Sequence, residues 1–119
     1  MEYKQTKKYM LHKLNTAFES FTNLSSHHAD NHKMMIEFFE NNSDNIKAVS
    51  LEQSDVNTDS ESLQYTFIWK NEIPHKLYVD LFNDDSAVIQ KYIDTELCEF
   101  IGFNNLEDLK DFLKTEIFN

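Results

Sequence analysis

Among its 119 residues the chain has no arginine, one glycine (Gly102), one proline (Pro74) and one cysteine (Cys98). Each shortage excludes something. Arginine is the usual planar fork for phosphate and guanine. Its absence, beside a net charge of −10, argues against nucleic acid as a partner. With one glycine, backbone cradles for phosphate are hard to build, and turns fall mainly to Asn, Asp and Ser. One cysteine excludes an internal disulfide framework and fits a reducing compartment, so a cytoplasmic location is expected. No apolar run reaches the roughly 18 residues of a membrane span. The first fourteen residues alternate Lys with Tyr, Met and Leu, which is not the pattern of a signal peptide. GxSxG, HExxH and Gly-rich phosphate-loop motifs are missing too.

What is present suits one domain, residues 1–119, with one core. The chain is 40% hydrophobic and 13% aromatic, with ten Phe, five Tyr and one Trp. Charge is unevenly spread. Residues 1–50 balance six Lys against six acids, whereas residues 51–119 hold five Lys and fifteen acids. An acidic domain is repelled by DNA and attracted to basic proteins, although the same charge also serves solubility.

Periodicity predicts an α+β fold with two N-terminal helices, a four- to five-stranded antiparallel meander and a C-terminal helix packed on the sheet. The first helix is expected from Tyr3 to Asn23, where Met10, Leu14, Ala17, Phe18 and Phe21 recur at helical spacing. The second is expected from His27 to Asn41, capped by Ser25 or Ser26. The third runs from Leu106 to Ile117, with Asn104 and Glu107 resembling a capping box. Strands are expected at 46–51, 62–69, 76–82, 87–93 and 96–101. "EQSDVNTDSES", Glu52 to Ser62, reads as an exposed loop.

Register discriminates two hairpins between the third and fourth strands. A three-residue loop places Leu77, Val79, Leu81, Ala87, Ile89 and Ile93 on one face and makes the cleaner core. The opposite face then carries Tyr78, Asp80, Phe82, Val88, Gln90 and Tyr92, which a helix covers or a partner meets.

Several features invite a chemical reading. His27, His28 and His32 fall within six residues, with Asp30 between them. On a helix, His28 and His32 share a face at a spacing that zinc uses, whereas Asp30 leaves that face. A second paired ligand motif is missing, and both histidines continue the stripe of Met35, Ile36 and Phe39. They are therefore weak metal candidates and are read as the rim of a core or interface; no metal or other cofactor is expected. Cys98 alternates with apolar neighbours and reads as a buried thiol. The spacing of Asp55, Asn57 and Asp59 resembles a calcium loop but lacks its sixth-position glycine and twelfth-position acid. Lys4, Lys7, Lys8 and Lys13 flank an apolar face that the core needs, so membrane docking is not expected. No catalytic residue emerges.

A binding surface remains. Asp84 and Asp85 sit in a turn, Asp94, Glu96 and Glu99 follow, and Tyr78, Phe82 and Tyr92 lie on the same strands. Aromatic anchors in an acidic field suit a tight complex with a basic protein. The stretch "LYVDLFNDDSAVIQKYIDTELCEFIGFNNLEDLKDFLKTEIF" (77–118), a meander ending in the helix start "GFNNLEDLKDFL", resembles small acidic bacterial immunity proteins of contact-dependent or polymorphic toxin systems. That resemblance implies a stoichiometric inhibitor, not an enzyme, whose partner is a basic, nuclease-type cognate toxin. Partner-binding residues are expected among Tyr78, Asp80, Phe82, Asp84, Asp85, Tyr92, Asp94, Glu96 and Glu99. A DNA mimic aimed at a nucleic-acid enzyme and an acidic, dimeric secretion chaperone are the alternatives. Oligomeric state stays open.

Overall fold

The computed structural model describes residues 6–21, 26–42, 46–54, 62–69, 75–82 and 86–118. Within these, the side chains of Ser26, His27, Asn42, Ser54, Trp69 and residues 116–118 lie outside the description. So do Ser25, the turn 70–74 and both Asp84 and Asp85.

The order is α1 (Lys7–Ser20), α2 (Ser26–Asn42), β1 (Ile46–Ser54), β2 (Ser62–Trp69), β3 (His75–Phe82), β4 (Ala87–Ile93), β5 (Glu96–Phe103) and α3 (Leu106–Phe118). The five strands form one antiparallel sheet in sequence order. Consecutive strands joined by short turns need no crossover, so a meander results.

Capping explains the helix starts. Thr6 accepts the Tyr9 amide through its hydroxyl at 3.1 Å and starts α1 later than the apolar stripe suggested. At α3 the capping pair sits one residue further on than expected. Asn105 Oδ1 accepts the Asp108 amide at 2.9 Å, and Asn105 Nδ2 donates to Asp108 Oδ2 at 3.1 Å. Asn105, not Asn104, is therefore the cap, because it stands immediately before the first helical residue.

Alternation divides every strand between two faces. Leu63, Tyr65 and Phe67 on β2, Leu77, Val79 and Leu81 on β3, and Ala87 and Ile89 on β4 are all buried. They join Met10 and Leu14 of α1, Met35, Phe38 and Phe39 of α2, and Leu109 and Leu113 of α3 in one core. The helices follow the sheet in order: α1 touches β1, α2 touches β3 and α3 touches β5, with α2 between α1 and α3. Rings of Phe103 and Phe112 meet at 5.7 Å where β5 faces α3. α1 and α2 thus share one side of the sheet, and α3 meets α2 and β5.

The hairpin between β3 and β4 has the three-residue register. Leu81 opposes Ala87, Val79 opposes Ile89, and the Phe82 amide donates to the Ser86 carbonyl at 3.0 Å. Two bulges adjust the outer strands. In β1 the register shifts between Ile46 and Ala48, which returns Ile46 to the core side with Val49 and Leu51. The ladder of β1 with β2 also runs beyond expectation. Glu52 pairs with Gln64 and Ser54 with Ser62, so part of the anticipated loop 52–62 is strand. Its middle, 55–61, lies outside the described residues.

Candidate functional site

The side of the sheet away from the helices carries Ser50 and Glu52 of β1, Gln64 and Thr66 of β2, and Tyr78, Asp80 and Phe82 of β3. Val88, Gln90 and Tyr92 of β4 continue it. Its β3 and β4 members are partly exposed, in alternation with buried neighbours. No described helix covers this face. The mixture of aromatics and acid anticipated between β3 and β4 is therefore partly exposed and covered by none of the described helices.

Asp80 lies at its centre, opposite Gln64 on β2 and Val88 on β4. Tyr78 and Phe82, two residues away on either side, flank it along the strand. Burial raises the Asp80 carboxyl above the ordinary carboxylate value, and a hydrogen bond from the Gln64 side chain opposes that rise in part. Tyr78 and Tyr92 meet edge to face, ring centres 5.6 Å apart. The Lys76 ammonium stands 5.2 Å from the centre of the Tyr78 ring, so that ring already accepts a cation. The Tyr92 hydroxyl donates to Gln90 Oε1 at 3.3 Å.

The edge strand β5 completes the platform. Its register with β4 shifts between Lys91 and Tyr92: Lys91 opposes Glu99, and Tyr92 opposes Leu97. Cys98 is the extra residue. The bulge keeps Leu97 on the open side with Phe100, which opposes Gln90. Leu97 is 51% exposed and Phe100 64%. Neither was singled out from sequence. Their three-residue spacing, which breaks strict alternation, was the available signal.

The expected partner-binding residues divide accordingly. Tyr78, Asp80, Phe82 and Tyr92 share the open face. Glu96 opposes Ile93 and Glu99 opposes Lys91, which places both acids on the helix side of the sheet. One Glu99 oxygen is shielded from solvent without a hydrogen-bond partner. Asp94 occupies the β4–β5 turn with φ 58°, a left-handed conformation that Asp tolerates. Asp84 and Asp85 lie outside the described residues.

The histidines settle differently. His28 is 1% exposed and His32 6%, so both sit deeper than a rim, and Asp30 is exposed. Asn15 Oδ1 can only accept, so His32 Nε2–H donates to it at 2.9 Å, which leaves Nδ1 to accept the Tyr65 hydroxyl proton at 2.7 Å. Phe18 stacks on the imidazole at 4.1 Å, with the two rings parallel to within 1°. Burial holds the His32 pKa down at about 4 and raises that of Tyr65. This trio ties α1, α2 and β2 together and leaves neither His32 nitrogen vacant for a metal. Among the described residues no group of three or more His, Cys, Asp and Glu converges. Nearby, Asn31 is buried and its Nδ2 has no hydrogen-bond partner. Sequence gave no sign of the trio, since residues 32 and 65 are joined only by the fold.

Cys98 is exposed rather than buried. It stands at the bulge of an edge strand. A half-open concavity of about 220 Å³ lies between α2 and α3, lined by Met34, Glu37, Phe38, Asn41, Lys110 and Lys114. It contains none of the expected site residues. Among the described residues no helix is long and apolar enough to cross a membrane. Comparison with protein-family models, curated proteins and solved structures finds no match to this chain.

Proposed function

We propose that the chain is a stoichiometric protein inhibitor of the toxin-immunity type, which binds a basic protein through the open face of its sheet. A nuclease toxin is the partner that fits best, and the cytoplasm is where the pair would meet. The observation that supports this reading is the uncovered platform of Tyr78, Phe82, Tyr92, Leu97 and Phe100 around the Asp80 carboxylate, in a chain of net charge −10. Exposed aromatic and aliphatic side chains grouped on one rigid sheet supply the desolvated contacts of a hot spot. The acidic field speeds encounter and rejects nucleic acid, which the toxin would otherwise bind in the same place.

The test is affinity against salt for a basic nuclease domain encoded beside this chain. Association should slow as salt rises, while the apolar contacts keep dissociation nearly constant. An association rate that ignores ionic strength would remove the electrostatic part of the reading. Leu97 and Phe100 on an edge strand favour one second reading, an acidic secretion chaperone that pairs with its own copy along β5. Sedimentation separates the two, because the inhibitor needs no self-association.

A further inference from the structure

We propose that Asp80 is the receptor for one arginine side chain of the partner, which lies flat on the aromatic platform with its guanidinium against the carboxylate. This rests on the open face being the docking surface and adds the chemical identity of the group that enters it.

Four observations converge on a guanidinium. First, the carboxylate is placed at the middle of the open face rather than at its rim, between Gln64 and Val88 across the strands. A charge there becomes desolvated when any partner lands, and a desolvated carboxylate left without a cation is strongly disfavoured. Docking without a cation is therefore selected against. Second, among the described residues no cation offsets the burial of Asp80; the group that does so is the neutral Gln64 amide. Third, the neighbouring ring of Tyr78 already accepts the Lys76 ammonium at 5.2 Å, which shows that the platform is compatible with positive charge over its aromatic face. Fourth, the walls are flat. Tyr78 and Tyr92 are locked edge to face, and a planar, weakly hydrated guanidinium stacks on such rings better than a compact, strongly hydrated ammonium. The chain itself has no arginine, so the group must come from another molecule. A second copy of this chain cannot provide it.

The experiment titrates the ¹⁵N-labelled protein with N-acetyl-arginine methylamide at constant ionic strength. The citrulline analogue, equal in shape and without charge, is the control, and the lysine analogue is a third arm. The expected result is saturable amide shifts centred on Gln64, Tyr78, Asp80 and Val88 with the arginine probe. The citrulline probe should give none and the lysine probe at least about 3-fold weaker binding. Asp80→Asn should weaken the arginine probe at least 5-fold, and its own spectrum reports whether the fold is kept. Asp80→Glu, which retains the charge, should recover part of the binding. Equal shifts with citrulline, an unchanged titration in Asp80→Asn, or unsaturable shifts spread over Glu52, Asp94 and Glu96 would each overturn the proposal. Lysine binding as tight as arginine would overturn the choice of guanidinium. Because the probe is a small molecule, failure here leaves the inhibitor reading to its own salt-dependence test with the protein partner.

Discussion

On β3, Leu77, Val79 and Leu81 are sealed from water, while the alternating Tyr78, Asp80 and Phe82 stay partly exposed. β4 repeats the contrast, with Ala87 and Ile89 buried and Val88 and Gln90 partly exposed, whereas on β2 the open-side Ser62 and Thr66 are themselves buried; the two faces still differ in chemical character. On the helix side the buried side chains are mostly apolar, and His32 is held by Asn15 and Tyr65. On the open side, a carboxylate sits among tyrosines, and Leu97 and Phe100 stand in solvent. Stability explains the first face. It does not explain the second, because exposed aromatics and a half-desolvated acid contribute little to folding and cost solubility. The difference teaches where to look for function: in the residues that the fold positions but does not use.

The comparison breaks if both faces respond alike to truncation. Phe67→Ala on the helix side should lower the unfolding free energy by about 3–5 kcal/mol. Phe100→Ala on the open side should change it by less than about 0.5 kcal/mol. Urea denaturation measures both, and equal losses would mean that Phe100 belongs to a core.

Acid should act through the helix side. The folded-state pKa of His32, about 4, lies below its ordinary 6.5, so the unfolded chain binds the proton more readily. His32 therefore contributes stability that is fully present above pH 6.5 and is lost as pH falls toward 4, with a slope of up to about 1.4 kcal/mol per pH unit. A series of denaturation curves across that window should show a smaller slope in His32→Gln than in the natural chain. Identical slopes would remove His32 as the cause.

Tyr65→Phe removes one hydroxyl and leaves His32 Nδ1 without its donor inside the core. The expected loss is about 1–3 kcal/mol, read at pH 7 by the same denaturation assay. The smallest expected effect has the opposite sign. Burial raises the Asp80 carboxyl, so its charged form is disfavoured in the fold at neutral pH, and that penalty is relieved as pH falls through the folded value. Asp80→Asn should leave stability at pH 7 unchanged or higher, within about 0.5 kcal/mol, while partner affinity falls. A variant that lost both would place Asp80 among the structural residues.

Much of the fold was legible because it is written in short-range periodicity. Ser62–Trp69 and Ala87–Ile93 appear where alternation predicts them. The β3–β4 register followed from a single condition, that apolar side chains share a face. Departures arose where one residue breaks a period. The bulges at Lys47 and Cys98 turn a three-residue spacing into same-face neighbours, and the cap moved from Asn104 to Asn105. Of the candidate site, Tyr78, Asp80, Phe82 and Tyr92 were legible as one face. Glu96 and Glu99 were not separable from them, since the bulge and the β4–β5 turn decide their side.

By itself, then, the sequence determined the helices, the strands, the meander and the two chemical characters of the sheet, because these depend on residues within a few positions of one another. Tertiary structure alone decided which face the helices cover. That choice depends on how α1, α2 and α3 meet strands distant in the chain, and the larger apolar area of the Leu77–Val79–Leu81 side wins. It also decided that His32 would find Tyr65 inside the core, and that Asp80 would be left facing outward without a cation beside it among the described residues.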